Sequence, residues 1–118
     1  MYCVLVLHGF SFDGNAKRYL AELNFDEARS VFMARYRMLP TKSNFPGRWK
    51  GTKCNLCGFL DSDAHLFTCP GYADLNPDDV RLDMFLNEEV LNDMNVLSAA
   101  ARCLCNIIVR LEEVQMLG

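Results

Sequence analysis

The sequence predicts a mainly α fold: a small irregular domain of four to five helices gathered around one cluster of cysteines and histidine. Three observations carry this. Phe25, Ala28, Phe32, Tyr36 and Leu39 recur at helical spacing, and Leu97, Ala100, Leu104, Ile107, Leu111 and Val114 do so again near the end. Between them, Cys54, Cys57, His65 and Cys69 form the spacing C-x2-C-x7-H-x3-C within sixteen residues. Three thiols and an imidazole are the donor set of a closed tetrahedral structural Zn²⁺ site. A framework of disulfides, or scattered core cysteines, is the competing reading of the same residues.

In chain order, Tyr2–Phe10 is apolar and fits either a short strand or a piece of helix. Ser11–Asn15 carries turn residues, and Ala16, Leu20 and Leu23 suggest a two-turn helix. Asn24 is a suitable N-cap for the next helix, with Glu27 three residues on as in a capping box. Pro40 is expected to end it. Arg29, Arg35 and Arg37 flank its apolar stripe. They either snorkel around a core-facing helix or face phosphates. Residues 41–53 form a loop broken by Pro46 and Gly47, in which Lys42, Arg48, Lys50 and Lys53 alternate with Phe45 and Trp49. Basic residues interleaved with aromatics suit a nucleic-acid contact. The same aromatics would also pin the loop to the metal module.

In the metal module, Gly58 suits the tight turn after the second cysteine. Asp61 or Ser62 can cap a short helix that places His65 and Cys69 on one face. Asn76-Pro77-Asp78-Asp79 has the chemistry of a helix start, with Val80, Met84 and Phe85 as its apolar side and an interruption at 87–93. The last helix, Asn95–Leu117, carries an a/d seam. Ala101 and Ile108 widen that seam, which favours packing within the chain; self-association through Leu97–Val114 is the alternative. Cys103 and Cys105 point in different directions and, with Cys3, read as small buried hydrophobes.

The organisation follows as one domain over 1–118: helices with an arginine-bearing face at 16–39, a basic loop and metal module at 40–75, and acidic helices at 76–117. The formal charge of −3 is split. Residues 1–57 hold nine Lys/Arg against four Asp/Glu, +5, and residues 58–118 hold three against eleven, −8. A basic face for a polyanion and an acidic face elsewhere is one reading; two ordinary solvated surfaces is the other. The longest uninterrupted apolar run, Tyr2–Leu7, is too short to cross a membrane and lacks a basic leader. The expected setting is intracellular, nucleus or cytoplasm, with no membrane partner.

Catalytic signatures are absent. His8-Gly9 is not followed by a Gly-x-Ser-x-Gly elbow, and no phosphate loop occurs. Tyr72-Ala73-Asp74-Leu75 has leucine where a polymerase needs its second acid, and no lysine follows Lys53 to complete a nuclease centre. A four-ligand metal has no open position for water. The expectation is a non-enzymatic chain.

Two runs carry a family resemblance: Arg35–Arg48, and Cys54-x-x-Cys57 followed by Asp63-Ala64-His65-Leu66-Phe67-Thr68-Cys69-Pro70. Together they resemble the C-terminal zinc-binding (CCHC) segment of non-LTR (LINE-type) retrotransposon reverse transcriptases. The resemblance covers residues 15–75, extends loosely to the last helix and excludes the first ten residues. It implies a helper to an enzyme, holding RNA template or target DNA near a polymerase. By that resemblance Cys54, Cys57, His65 and Cys69 hold Zn²⁺, and Arg35, Arg37, Lys42, Arg48, Lys50 and Lys53 touch phosphates. The polymerase core of the family is missing from this sequence, which would then be a fragment, a decayed reading frame or a domesticated piece; the Leu97–Val114 helix is the expected docking face for a polymerase partner.

Overall fold

The computed structural model describes residues 19–117. The expectations for Tyr2–Phe10, Cys3, His8-Gly9 and Ser11–Asn15 lie outside the described residues, as does the start of the Ala16–Leu23 helix, of which residues 19–22 are helical. The described chain is mainly helical: α1 (Phe25–Arg35), α2 (Asp63–Leu66), 3-10 turns at Pro70–Leu75 and Leu82–Phe85, α3 (Glu88–Asn92) and α4 (Met94–Leu117). Among the described residues the only β pairing is two isolated bridges.

Helix α1 starts as expected, with Asn24 Oδ1 accepting the Glu27 N–H at 2.8 Å. Only half of the capping box forms, because the Glu27 carboxylate faces Arg102 Nε of α4 at 3.5 Å instead. Replacing Asn24 by alanine is expected to cost about 1 kcal/mol in urea unfolding, since one orphan N–H loses its acceptor. The helix ends at Arg35, four residues before the expected Leu39. Arg37 takes the left-handed conformation (φ 55°), and Met38 N–H returns to the Met33 carbonyl at 2.8 Å. That bond closes the helix end before Pro40 is reached. The buried face is wider than the expected stripe: Ala28, Phe32 and Leu39 are buried as expected, Val31 and Ala34 join them, and Phe25 is 68 % exposed. Small residues bring α1 close to α4, where Ser30 Oγ donates to the Ala101 carbonyl at 3.3 Å.

Helix α4 is the spine of the core. Leu97, Ala101, Leu104 and Ile107 are completely buried, and Ala100, Ile108 and Leu111 nearly so. The a/d seam is therefore spent inside the fold, with the wider stripe that Ala101 and Ile108 foretell. Its last position shifts: Val114 is half-buried, and Gln115 turns inward in its place. By length and composition α4 also passes as a membrane span, which the longest-run criterion does not register. Its stripe packs on protein, as that of a core helix does.

Two expectations for 76–93 are corrected. Asn76 does not cap a helix; its side chain accepts from Val80 N–H (2.7 Å) and donates to the Val80 carbonyl (2.9 Å), closing a turn. Asp79 sits at φ 53°, which no right-handed helix accommodates. The expected interruption at 87–93 is instead helix α3, capped by Asn87 Oδ1 accepting from Glu89 and Val90 N–H. Asp93 Oδ1 then accepts the first N–H groups of α4, from Asn95 and Val96.

Candidate metal centre

The first half of the site is a tight turn. Cys54 N–H donates to the Phe59 carbonyl at 2.6 Å and Gly58 N–H to the Cys54 carbonyl at 3.0 Å. An antiparallel bridge between Lys53 and Leu60 closes its base. Gly58 occupies φ 81°, which a side chain would strain. Leu56 N–H points at Cys54 Sγ at 3.4 Å, helping to neutralise a thiolate there. The second half is α2, capped by Ser62 Oγ accepting the His65 N–H at 3.3 Å. Cys69 N–H bonds back to the His65 carbonyl at 2.8 Å, so these two ligands share one face. Gly71 lets the halves meet: a Cβ there would overlap the Leu56 side chain.

These elements bring the ligand atoms of Cys54, Cys57, His65 and Cys69 within 4.8 Å of one another. Cys54 Sγ and Cys69 Sγ are 3.9 Å apart, and Cys57 Sγ is 3.2 Å from His65 Nε2. A tetrahedral ion with metal–sulfur bonds of about 2.3 Å holds its sulfurs roughly 3.8 Å apart. The described cysteines are all free thiols, so the disulfide reading finds no bond here. Burial pushes the Cys69 thiol up to about 12, with Cys57 and Cys54 adding to the effect and the Gly71 N–H opposing it. Without a counter-charge the buried Cys69 thiol stays protonated, and a cation is what makes its thiolate form favourable. The donor set, spacing and enclosure fit a metal ion.

A polar network ties this centre to the core. Asp61 is buried, and its Oδ2 accepts from Lys42 N–H (2.9 Å) and from Gln115 Nε2 of α4 (2.8 Å). Asn55 Nδ2 reaches the Val114 carbonyl at 3.3 Å. Arg110 of α4 donates to the Gly71 carbonyl and pairs with Asp74. Asp63 accepts from Asn44 Nδ2 (2.6 Å) and Thr41 Oγ1, although burial raises its carboxyl above the usual range.

The residues expected to touch phosphates divide. Lys42 is withdrawn from that set: it is 5 % exposed, and its Nζ donates to the Lys53 carbonyl and Asn55 Oδ1, both at 2.8 Å. It holds the residues on either side of Cys54. Arg35 is likewise committed, donating to the Phe85 carbonyl at 3.0 Å and lying over the Tyr36 ring. Arg37, Arg48, Lys50 and Lys53 are exposed. Phe45 and Trp49 meet each other edge to face at 6.4 Å within the loop, with the Arg48 guanidinium over both rings.

Sequence reasoning missed Asn55, Asp61 and Gln115 as supports of the centre, because their partners lie on other elements. It also left Phe59 and Leu60 unremarked, although they stand 71 % and 57 % exposed at the tip of the first turn. No protein family, curated protein or solved structure matches this chain. The likeness to the retrotransposon segment rests on the quoted residues alone.

Proposed function

We propose that this chain is a zinc-stabilised, non-catalytic nucleic-acid-binding module of the kind found at the end of LINE-type reverse transcriptases. One observation carries the reading. Arg48, Lys50 and Lys53 are exposed on the short loop that runs straight into Cys54, beside two half-buried aromatic rings. The metal cage holds that loop in place, so cations and stacking surfaces stand in a fixed array. Zinc is the metal of choice for three thiolates and one imidazole in a closed shell. With all four positions taken by protein, the ion organises structure and activates no water. The acidic residues of 76–117 sit on other elements and leave the basic loop as the surface for phosphate.

Binding should be electrostatic at base. Affinity for short RNA or DNA is expected to fall steeply with salt, by about one logarithmic unit per tenfold salt for each phosphate contact. The double change Lys50→Glu and Lys53→Glu should lower that slope by roughly two. Its unfolding curve should match the parent's, since both side chains are exposed. A filter-binding series at several salt concentrations measures this. An unchanged affinity would remove the basic loop from the interface, and absence of any binding at low salt would remove the function. The other reading, self-association through Leu97–Val114, finds most of that seam already buried within the chain.

A further inference from the structure

The basic loop, α1 and the end of α4 enclose an open groove of about 670 Å³. Its walls include Phe25, Met33, Phe45 and Trp49, and its rim carries Arg29 and Arg48. The volume is that of a small-molecule site, enough for one or two flat rings. Resting on the proposed nucleic-acid function, we infer that this groove takes the bases of a single strand, RNA or DNA, rather than the outside of a duplex.

Three observations converge. The first is the chemistry of the wall: aromatic rings and thioether side chains form an apolar lining that phosphates alone have no use for, whereas unpaired bases stack on it. The second is Arg48. Its guanidinium carbon lies 4.9 Å from the Trp49 ring centre and 5.8 Å from that of Phe45. A planar cation already occupies the ring face, in the place a base would take. Arg48 has only to swing outward to meet the adjoining phosphate as the base slides in. The third is charge. Arg29 and Arg48 at the rim, with Lys50 one residue beyond Trp49, match a backbone that runs along the edge while its bases point inward. Glu112 is the one acid in the lining, and it is exposed on α4. A carboxylate repels phosphate but accepts from base amino or imino groups, which sets the bases rather than the backbone on the α4 side. A rigid duplex keeps its bases stacked inside and offers the groove nothing to fill it.

Trp49 is the chain's only tryptophan, so its fluorescence reports on this wall alone. The intact metal-loaded chain is titrated with three probes: an oligouridylate of roughly ten nucleotides, a duplex of the same length, and inorganic polyphosphate. The oligouridylate is expected to quench Trp49 and to bind about tenfold tighter than the duplex, a typical stacking contribution. Polyphosphate should bind without quenching. With a labelled strand read by anisotropy, Trp49→Leu should erase the tenfold preference for strand over duplex. Trp49→Phe, which keeps a stacking face, should retain most of it and guards against a folding defect. Equal affinity for strand and duplex without quenching would overturn the groove assignment and leave the electrostatic function standing. A blue shift of Trp49 with protein concentration alone would assign the groove to a second copy and overturn it equally. Failure of all three probes to bind at low salt would take the proposed function down first.

Discussion

Stripping the metal with a strong chelator under reducing conditions is expected to unfold residues 53–75 while the α1–α4 core keeps its helicity. Leu66, Phe67 and Tyr72 and the Asp61 network anchor one side of the metal module to the core, but the first cysteine turn has little else to hold it. The module's regular structure is one four-residue helix and a 3-10 turn. Leu56, Phe59 and Leu60 are exposed, so the first cysteine turn contributes little apolar burial. Structural zinc supplies roughly 10 kcal/mol or more in comparable small modules, which is comparable to the whole stability of a domain, about 5–15 kcal/mol. Losing it should melt whatever the metal alone supports. The α1–α4 contact rests instead on Val31, Leu97, Leu104 and Ile107, all fully buried. Amide exchange resolves the outcome: the Cys54, Gly58 and Cys69 N–H groups should lose protection while those of α4 keep it. Far-ultraviolet circular dichroism should change only slightly. Acid should act as the chelator does. Protons compete with the metal for three sulfurs and one imidazole, so affinity falls as pH falls. The Cys69 thiol, which burial pushes up to about 12 without a cation, regains its proton as the metal leaves. Retained protection at Cys54 and Cys69 after complete metal removal would show that packing, not the ion, builds the turn.

The second large effect is expected at Asp61. Changing it to alanine leaves Lys42 N–H and Gln115 Nε2 buried, with one acceptor taken from each. Gln115 keeps only a 3.4 Å contact to the Pro40 carbonyl. Each stranded buried donor costs about 1–3 kcal/mol, so the two together should cost on the order of 2–6 kcal/mol in chemical unfolding. The control is Asp61→Asn with Gln115→Glu tested separately. Asparagine keeps an acceptor oxygen and should recover part of the loss. Glutamate at 115 faces Asp61 with a like charge and should not recover stability at neutral pH. Because Asp61 joins the metal module to α4, its loss should also loosen the anchorage of the basic loop. A change below about 0.5 kcal/mol, the size expected of an ordinary surface position, would mean that water satisfies these groups equally well.

Comparison of particular residues shows what could be read from the chain. The caps at Asn24 and Ser62 were legible because each bond spans three residues. So was the cysteine–histidine cluster, whose ligands all fall between 54 and 69. The α4 stripe was legible because burial of one helix face imposes its own period. The end of α1 was not. It depends on the left-handed turn at Arg37, which has no glycine to announce it, rather than on Pro40. Asn76 looked like a cap because its side-chain chemistry serves a helix start and a closed turn equally well. Lys42 and Arg35 looked like phosphate contacts because a charged residue in a basic run gives no sign of its burial.

By itself, then, the sequence determined the mainly helical class, the four candidate metal ligands and the order of basic loop and cysteine turn. Those features rest on interactions between residues close along the chain, where spacing alone dictates geometry. The tertiary structure decided which cations stay exposed, how Asp61 and Gln115 bind the module to α4, and that Phe45, Trp49 and Arg48 share a groove with α1. Each of these depends on groups brought together across elements, and neither composition nor periodicity carries that information.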